Sequence, residues 1–525
     1  MKLSRRRFQK LLASAGPASI IGCTVSVPSA KESSGKSLLT GCAIGDVTSS
    51  GAVLWTRTEE PCQILLSMAT NLAFTDNYRS VDIGNTDEQR DFNLKFEIKN
   101  LPASSQWYFR LEATSLGQPD VPVHFVQGQF QTADSDQRQN IRFCWGGDTA
   151  GQGWGVPPLD DSSLNLNQGM LTYAAMLSHK PQFFVHSGDQ IYADGPIQEL
   201  VELDNGQIWE NLVTPAKSKV AESLQDFREN FYYNYLNSHY RDFHVQTPIY
   251  YQWDDHEVIN NWYPREKRDD PRYQTDDISS LARRAKQALF ECNPIRTNPD
   301  DPERIYRKIE RGPLLDLFFL DMRSYRGPNS LNRQTAQSLA TDFLGNEQIE
   351  WLKHSLKESK AVWKIICADM PLSAVVTDWG TDIAENAANG DDGPPLGREL
   401  EIAELLSFIK EEEIHNLHFI TADVHYCAST HYHPDRAAFK NFLPFWEHIS
   451  GPIHAGTFAP GKMDKTFGPE RVFCGVPDDL PPNRPPSEPY QFFGKIDIDA
   501  ETQTLTVSHY NSRNNLLWSK IFQVS

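Results

Sequence analysis

Phe183-Phe184-Val185-His186-Ser187-Gly188-Asp189-Gln190-Ile191-Tyr192 runs from an apolar stretch into a glycine, a carboxylate and a phenol. A short apolar run closed by a turn residue reads as a buried strand. Asp189 therefore stands just past a strand end. The pattern recurs in Phe143-Cys144-Trp145-Gly146-Gly147-Asp148, in Tyr250-Tyr251-Gln252-Trp253-Asp254-Asp255-His256-Glu257 and in His418-Phe419-Ile420-Thr421-Ala422-Asp423-Val424-His425. Ligands of α/β sheets bind at the carboxyl ends of the strands, so these Asp-bearing ends can converge there. Carboxylates gathered in one pocket raise each other's pKa unless cations neutralise them. Oxygens of Asp and Tyr with one His suit a hard or borderline metal, not a thiolate-seeking one. Taken singly, a Gly-Asp is more simply a turn or helix cap, and an Asp-x-His a hydrogen-bonded surface pair. Their repetition in this order points to a metal centre.

Around these ends, short apolar strands alternate with helical stretches from Ile141 onward. Strands are predicted at Ile141–Trp145, Gln182–His186, Ile249–Trp253, Leu314–Leu320, Trp363–Ala368 and Asn416–Thr421. Helices are predicted at Leu281–Phe290, Glu347–Glu358 and Glu399–Glu411. The alternation indicates an α/β domain over residues 141–525. Its tail returns to β, as a hairpin of Phe492–Asp499 and Gln503–Ser508. Upstream, residues 38–134 read as a small all-β sandwich, with strand patterns in Gly51–Thr56, Phe92–Ile98 and Gln106–Glu112. The polar run Thr132–Asn140 is the expected linker. The 525 residues suit two or three domains.

The net charge of −19 argues against a nucleic-acid backbone as the main partner. Eight cysteines with no CxxC spacing make no disulfide scaffold. Cys42 and Cys62 share the first domain, as a disulfide or as two buried thiols. Residues 1–30 read as a targeting segment. Ser4-Arg5-Arg6-Arg7-Phe8-Gln9-Lys10 resembles the twin-arginine export signal, and the stretch after it is too short to span a bilayer. Ile20-Ile21-Gly22-Cys23 resembles a lipobox. A lipid anchor at Cys23 and plain cleavage near Ser29-Ala30 both remain open, and either implies a periplasmic or extracellular location with the twin-arginine machinery as a transient partner.

Gly188-Asp189-Gln190-Ile191-Tyr192, Trp253-Asp254-Asp255-His256-Glu257-Val258, Leu320–Arg326, Leu344–Leu352, Asp423-Val424-His425-Tyr426 and, in the first domain, Gly45–Arg57 together resemble the PhoD-type alkaline phosphatases and phosphodiesterases of the calcineurin-like metallophosphatase superfamily. The resemblance covers nearly the whole chain after residue 38. It implies a metallophosphatase β-sandwich core flanked by helices, preceded by a small all-β sandwich domain. Asp148, Asp189, Tyr192 and His425 match positions that hold a first metal, and they resemble the ferric site of purple acid phosphatases. Asp189 would bridge to a second metal held by Asp255 and Asp423, with Asp369 a weaker candidate. Fe3+ is implied in the first site. An oxygen-rich second site favours Ca2+, with Mg2+ or Mn2+ as alternatives.

Two departures mark the chain as a side branch. Asp148 is followed by Thr149-Ala150, so the superfamily's Asp-x-His opening is absent, with Tyr192 in place of the missing ligand. PhoD-type enzymes also often carry Cys where Asp148 stands.

The implied reaction is hydrolysis of small phosphate esters by a metal-bridging hydroxide attacking phosphorus. His256 is assigned to the phosphoryl group or to protonating the leaving alkoxide. Arg323 and Arg326 are assigned to binding the substrate phosphate. Each keeps a plainer reading: a structural histidine bonded to a carboxylate, and arginines in ion pairs. A phosphodiesterase or phospholipase D-like activity uses the same chemistry. A non-catalytic exported binding protein is the reading from another class.

Overall fold

Alternating burial along the strands builds two sheets that share one core. Phe143, Trp145, Phe183, Val185 and Tyr250 point to one side, against Leu315, Leu317, Phe319, Trp363, Ile365 and Ile420 of the facing sheet. Cys144, Phe184 and Tyr251 point to the other side, as the period of two requires. The computed structural model describes residues 39–117, 124–158, 169–378 and 380–525. The expected targeting segment, with its arginine pair and Cys23, lies outside the described residues. Among those described, no helix is long and apolar enough to cross a membrane.

The first sheet has nine strands. Its centre is parallel: Ile141–Gly146 beside Phe183–Ser187 beside Ile249–Gln252. The carboxyl-terminal hairpin, Phe492–Ile498 with Leu505–Asn511, extends it on one side, and Leu516–Phe522 closes that edge. The second sheet has seven strands. Leu315–Phe319, Trp363–Cys367, Leu417–Thr421 and Phe445–Ile449 run parallel at its centre. Each buried Leu, Ile or Phe of the shared core stabilises the stack by about 1.5–3 kcal/mol.

Helices cover both outer faces. Leu171–Ser178, Leu224–Asn234, Ser238–Gln246 and Ile278–Cys292 pack on the first sheet. Asn346–Glu358 and Glu399–Glu411 pack on the second. Two predicted helices coincide with the observed ones to within a residue. The third extends from Ile278 to Cys292, and Leu281, Ala285, Ala288, Leu289 and Cys292 form its buried face at helical spacing.

The described residues from Leu39 to Gln131 form the expected all-β unit, with an unforeseen attachment. A four-stranded sheet, Arg79–Asn85, Cys62–Ala69, Gln106–Ser115 and His124–Gln131, packs against Leu39–Gly45, Ala52–Thr58 and Asn93–Ile98. Those last three strands also complete the nine-stranded sheet, joined to Ile249–Gln252 by the parallel bridge Gly45↔Ile249. A Cβ on Gly45 would stand 2.5 Å from the Ile249 carbonyl oxygen, so a side chain there would prise the join apart. Cys42 and Cys62 are buried free thiols, not a disulfide.

Candidate metal centre

Both parallel sheet centres end at the same rim, and the carboxylates predicted at strand ends meet there. Oxygens of Asp148 and Asp189 and a ring nitrogen of His425 lie within 4.8 Å of one another. The Tyr192 hydroxyl is 2.8 Å from His425 Nε2. His425 Nδ1 bonds to the Gly456 carbonyl, which turns Nε2 toward Tyr192 and the carboxylates. Asp148, Asp189, Asp423 and His425 all take left-handed backbone, with φ of 67°, 51°, 67° and 56°. Such sharp turns cost on the order of 1 kcal/mol each and cluster where function requires them. Here they bend the chain at the strand ends and aim the side chains across the rim.

Glu257 fixes the loop that carries Asp189 and Tyr192. Its carboxylate accepts N–H bonds from Asp189 (3.0 Å), Gln190 (2.5 Å), Ile191 (3.2 Å) and Asp254 (2.7 Å). Gly151 makes room for the phenol: a Cβ there would lie 2.1 Å from Tyr192 Cε2.

A second group lies alongside. Oxygens of Asp254, Asp255 and Asp423 also come within 4.8 Å of one another, and Asp189 joins Asp255 and His256 in a third such set. Asp189 thus belongs to both halves of the rim, as a bridging position requires. Asp255 accepts from the backbone N–H groups of His256 (2.8 Å) and Asn261 (2.6 Å). Burial pushes its carboxyl up, but the His256 and Arg323 charges and these bonds outweigh burial and hold it at about 2.

His256 sits at the mouth of this group, its ring 4.3 Å from that of Tyr192. Its Nδ1 is 2.7 Å from Asp194 Oδ1, and Asp194 Oδ2 accepts from Asn260 N–H at 2.9 Å. Burial pulls the imidazole pKa down, but Asp194 and then Asp255 outweigh it and raise it to about 9.

The residues present fit metal ions. Both Asp148 oxygens, Asp254 Oδ2 and both Asp369 oxygens are buried without a hydrogen-bond partner. Buried acceptors left so are costly and call for a cation. Burial first, and neighbouring carboxylates next, hold the Asp148, Asp189, Asp369 and Asp423 carboxyls well above the usual range. Cations reverse that penalty. A phenol, an imidazole and carboxylates on one side suit a borderline or hard trivalent ion, and the all-carboxylate side suits a hard divalent ion.

Arg323 and Arg326, assigned from sequence to the substrate phosphate, occupy a different place. Both side chains are fully buried and both pair with Glu385. Arg323 also donates to Asp254 at 2.7 Å. Carboxylates hold both of them behind the rim. Asp194, Asp254, Glu257 and Glu385 belong to the site and were not among the predicted site residues. Asp254 and Glu257 stand inside a quoted motif and could have been found there. Asp194 and Glu385 have no local signature.

A family model described as "PhoD-like phosphatase" matches residues 143–509, and one described as "PhoD-like phosphatase, N-terminal domain" matches residues 23–134. Alkaline phosphatase D of Bacillus subtilis (strain 168) is 27% identical over 274 residues, spanning 50% of this chain and 44% of that relative. Among solved structures, PhoD superposes with a TM-score of 0.68 at 18% identity, over 94% of this chain and 92% of that one. A purple acid phosphatase from yellow lupin (Lupinus luteus) seeds superposes at 0.56 and 11% identity, over 92% and 74%. These two structures share the fold: stacked sheets with few helices.

Proposed function

The chain belongs to the PhoD-like phosphatase family, and from that premise we propose that it is an exported, metal-dependent hydrolase of small phosphate esters. One observation carries this reading: buried carboxylates of four strand ends meet a tyrosine and a histidine at one rim, with acceptor atoms left unpartnered. Asp148, Asp189, Tyr192 and His425 would hold iron. Asp189, Asp255 and Asp423, with Asp254 beside them, would hold calcium, or magnesium or manganese. When bound, the ions supply an activated water and positive charge for the phosphoryl oxygens.

The chain's own residues do the rest. Glu257 holds the Asp189–Tyr192 loop in register through its N–H bonds. Asp194 fixes the orientation of the His256 ring and keeps its imidazole charged. His256 then gives its proton to the leaving alkoxide, which departs as an alcohol. The basic amino-terminal motif supports export by the twin-arginine route. A phosphodiesterase or phospholipase D-like activity shares this chemistry at phosphorus, and pocket width separates them.

Purified protein with its metals counted, assayed side by side on a chromogenic phosphomonoester and a diester, tests the proposal. Hydrolysis should vanish on chelation and return with added iron and calcium. Hydrolysis indifferent to metal removal would contradict it.

A further inference from the structure

Lys217 is a buried cation that belongs to none of the ligand groups at the rim. It stands in the short turn Pro215–Ser218. Its Nζ donates to the Tyr192 carbonyl at 3.2 Å and lies 5.5 Å from the centre of the Tyr233 ring. Lys219, two residues on, pairs with Asp226 at 2.7 Å, whereas Lys217 has no ion pair among the described residues. An ammonium buried without a carboxylate is costly to the fold. Its hydrogen bond offsets little of that cost, because the Tyr192 carbonyl already accepts from the Gly195 N–H at 3.3 Å.

What the ammonium touches is the loop that serves both halves of the chemistry. Glu257 takes the N–H groups of Asp189, Gln190 and Ile191. The carbonyls that follow are held by other partners. Lys217 takes Tyr192, the Ala221 N–H takes Ala193 at 2.8 Å, and the Arg272 guanidinium takes Asp194 at 3.0 Å. An anion thus grips the front of the loop by its N–H groups, and two cations grip its back by its carbonyls. Between the two grips the Tyr192 phenol meets His425 at 2.8 Å and Asp194 meets His256 at 2.7 Å. Reactive groups need placement within about 0.5 Å, and only their supporting contacts give it. A side chain that burdens the fold and braces the site is the mark of a trade between stability and activity.

We propose that Lys217 is a positioning residue, whose ammonium holds the Tyr192 peptide so that the phenol is aimed at its metal ion, at the expense of stability. This rests on the metal-centre reading above. Lys217→Met keeps an unbranched stem and removes the charge and the donor, and Tyr192 keeps its bond from Gly195. The variant should therefore unfold at no lower a temperature than the unaltered protein, because an apolar side chain suits the buried position better. Its kcat on an aryl phosphate should fall about ten- to a hundredfold with KM unchanged, and its tyrosinate-to-iron band should move. Lys217→Arg, which keeps a charge and donors, should hold kcat and band closer to those of the unaltered protein.

The experiment is thermal unfolding by circular dichroism, kcat and KM, and the visible spectrum per bound iron, on the full-length metal-loaded protein and both variants. Lower kcat and a displaced band without lower thermal stability in Lys217→Met support the proposal. A folded Lys217→Met with unaltered kcat and band overturns it. Failure of that variant to fold, or a lower unfolding temperature with the band in place, overturns it as well, since the side chain would then serve the fold. An unaltered protein with no such band, or with no phosphatase activity, removes the metal-centre reading instead, and that result comes from the unaltered protein alone.

Discussion

Asp194→Asn is the most informative single change to the acid. In the native site Asp194 Oδ1 accepts from His256 Nδ1 at 2.7 Å, and Asp194 is the largest influence raising the imidazole to about 9 against the burial that pulls it down. The amide keeps the shape and can still accept a hydrogen bond, but it removes the charge. Without that charge, burial pulls the imidazole down from about 9, with only Asp255 and Asp254 left to hold it up. The interval between 6.5 and about 9, at about 1.4 kcal/mol per pH unit, amounts to about 3 kcal/mol favouring the protonated form. Because the folded value lies above the unfolded one, this stability is fully present below pH 6.5 and is lost as pH rises through about 9.

At any pH between these limits a smaller fraction of His256 carries the proton in Asp194→Asn than in the native protein. Bound cations lower the imidazole pKa in both proteins, so the difference between them survives. The assay is a pH–rate profile on an alkyl phosphate with metals counted. The alkaline limb should move toward acid by at most the interval from about 9 to 6.5, with metals retained and an aryl phosphate much less affected. Coincident profiles would refute the assignment of Asp194 and of the proton it holds.

Other outcomes follow from the same geometry. Asp189→Ala should lose metal along with activity, since Asp189 oxygens belong to both halves of the rim. His256→Ala should keep its metals and lose roughly 10²–10⁴-fold on alkyl phosphates and far less on aryl ones; metal loss would make His256 a ligand. Gly151→Ala places a methyl 2.1 Å from the buried Tyr192 ring and should cost about 1–3 kcal/mol in thermal unfolding and weaken iron retention. Replacing Arg5 and Arg6 with lysine should leave the precursor in the cytoplasm on fractionation, and normal export would show the signal misread.

The strand ends were legible because apolar runs stop at a glycine or aspartate, and burial follows those runs closely. Asp148, Asp189, Asp255, Asp423 and His425 came together as their positions implied, and Tyr192 with them. Partners chosen by tertiary contact were not legible. Arg323 and Arg326 find Glu385 from 62 and 59 residues away, across loops with no periodic pattern. Asp194 earns its role only because its loop folds back onto His256, 62 residues on. The joining of the first β unit to the main sheet rests on one parallel bridge at Gly45, and local sequence does not encode it. The short helix Leu171–Ser178 shows no clear apolar stripe, because Thr172, Tyr173, Ala175 and Met176 bury around much of its girth.

The central claim is that Asp148, Asp189, Tyr192 and His425 hold a ferric ion through the phenol. The visible spectrum of purified, metal-counted protein tests it most directly. Iron should be present with a tyrosinate-to-iron charge-transfer band, and Tyr192→Phe should bleach that band while the fold, read by circular dichroism, persists. A colourless, fully active enzyme containing zinc and no iron would contradict the account.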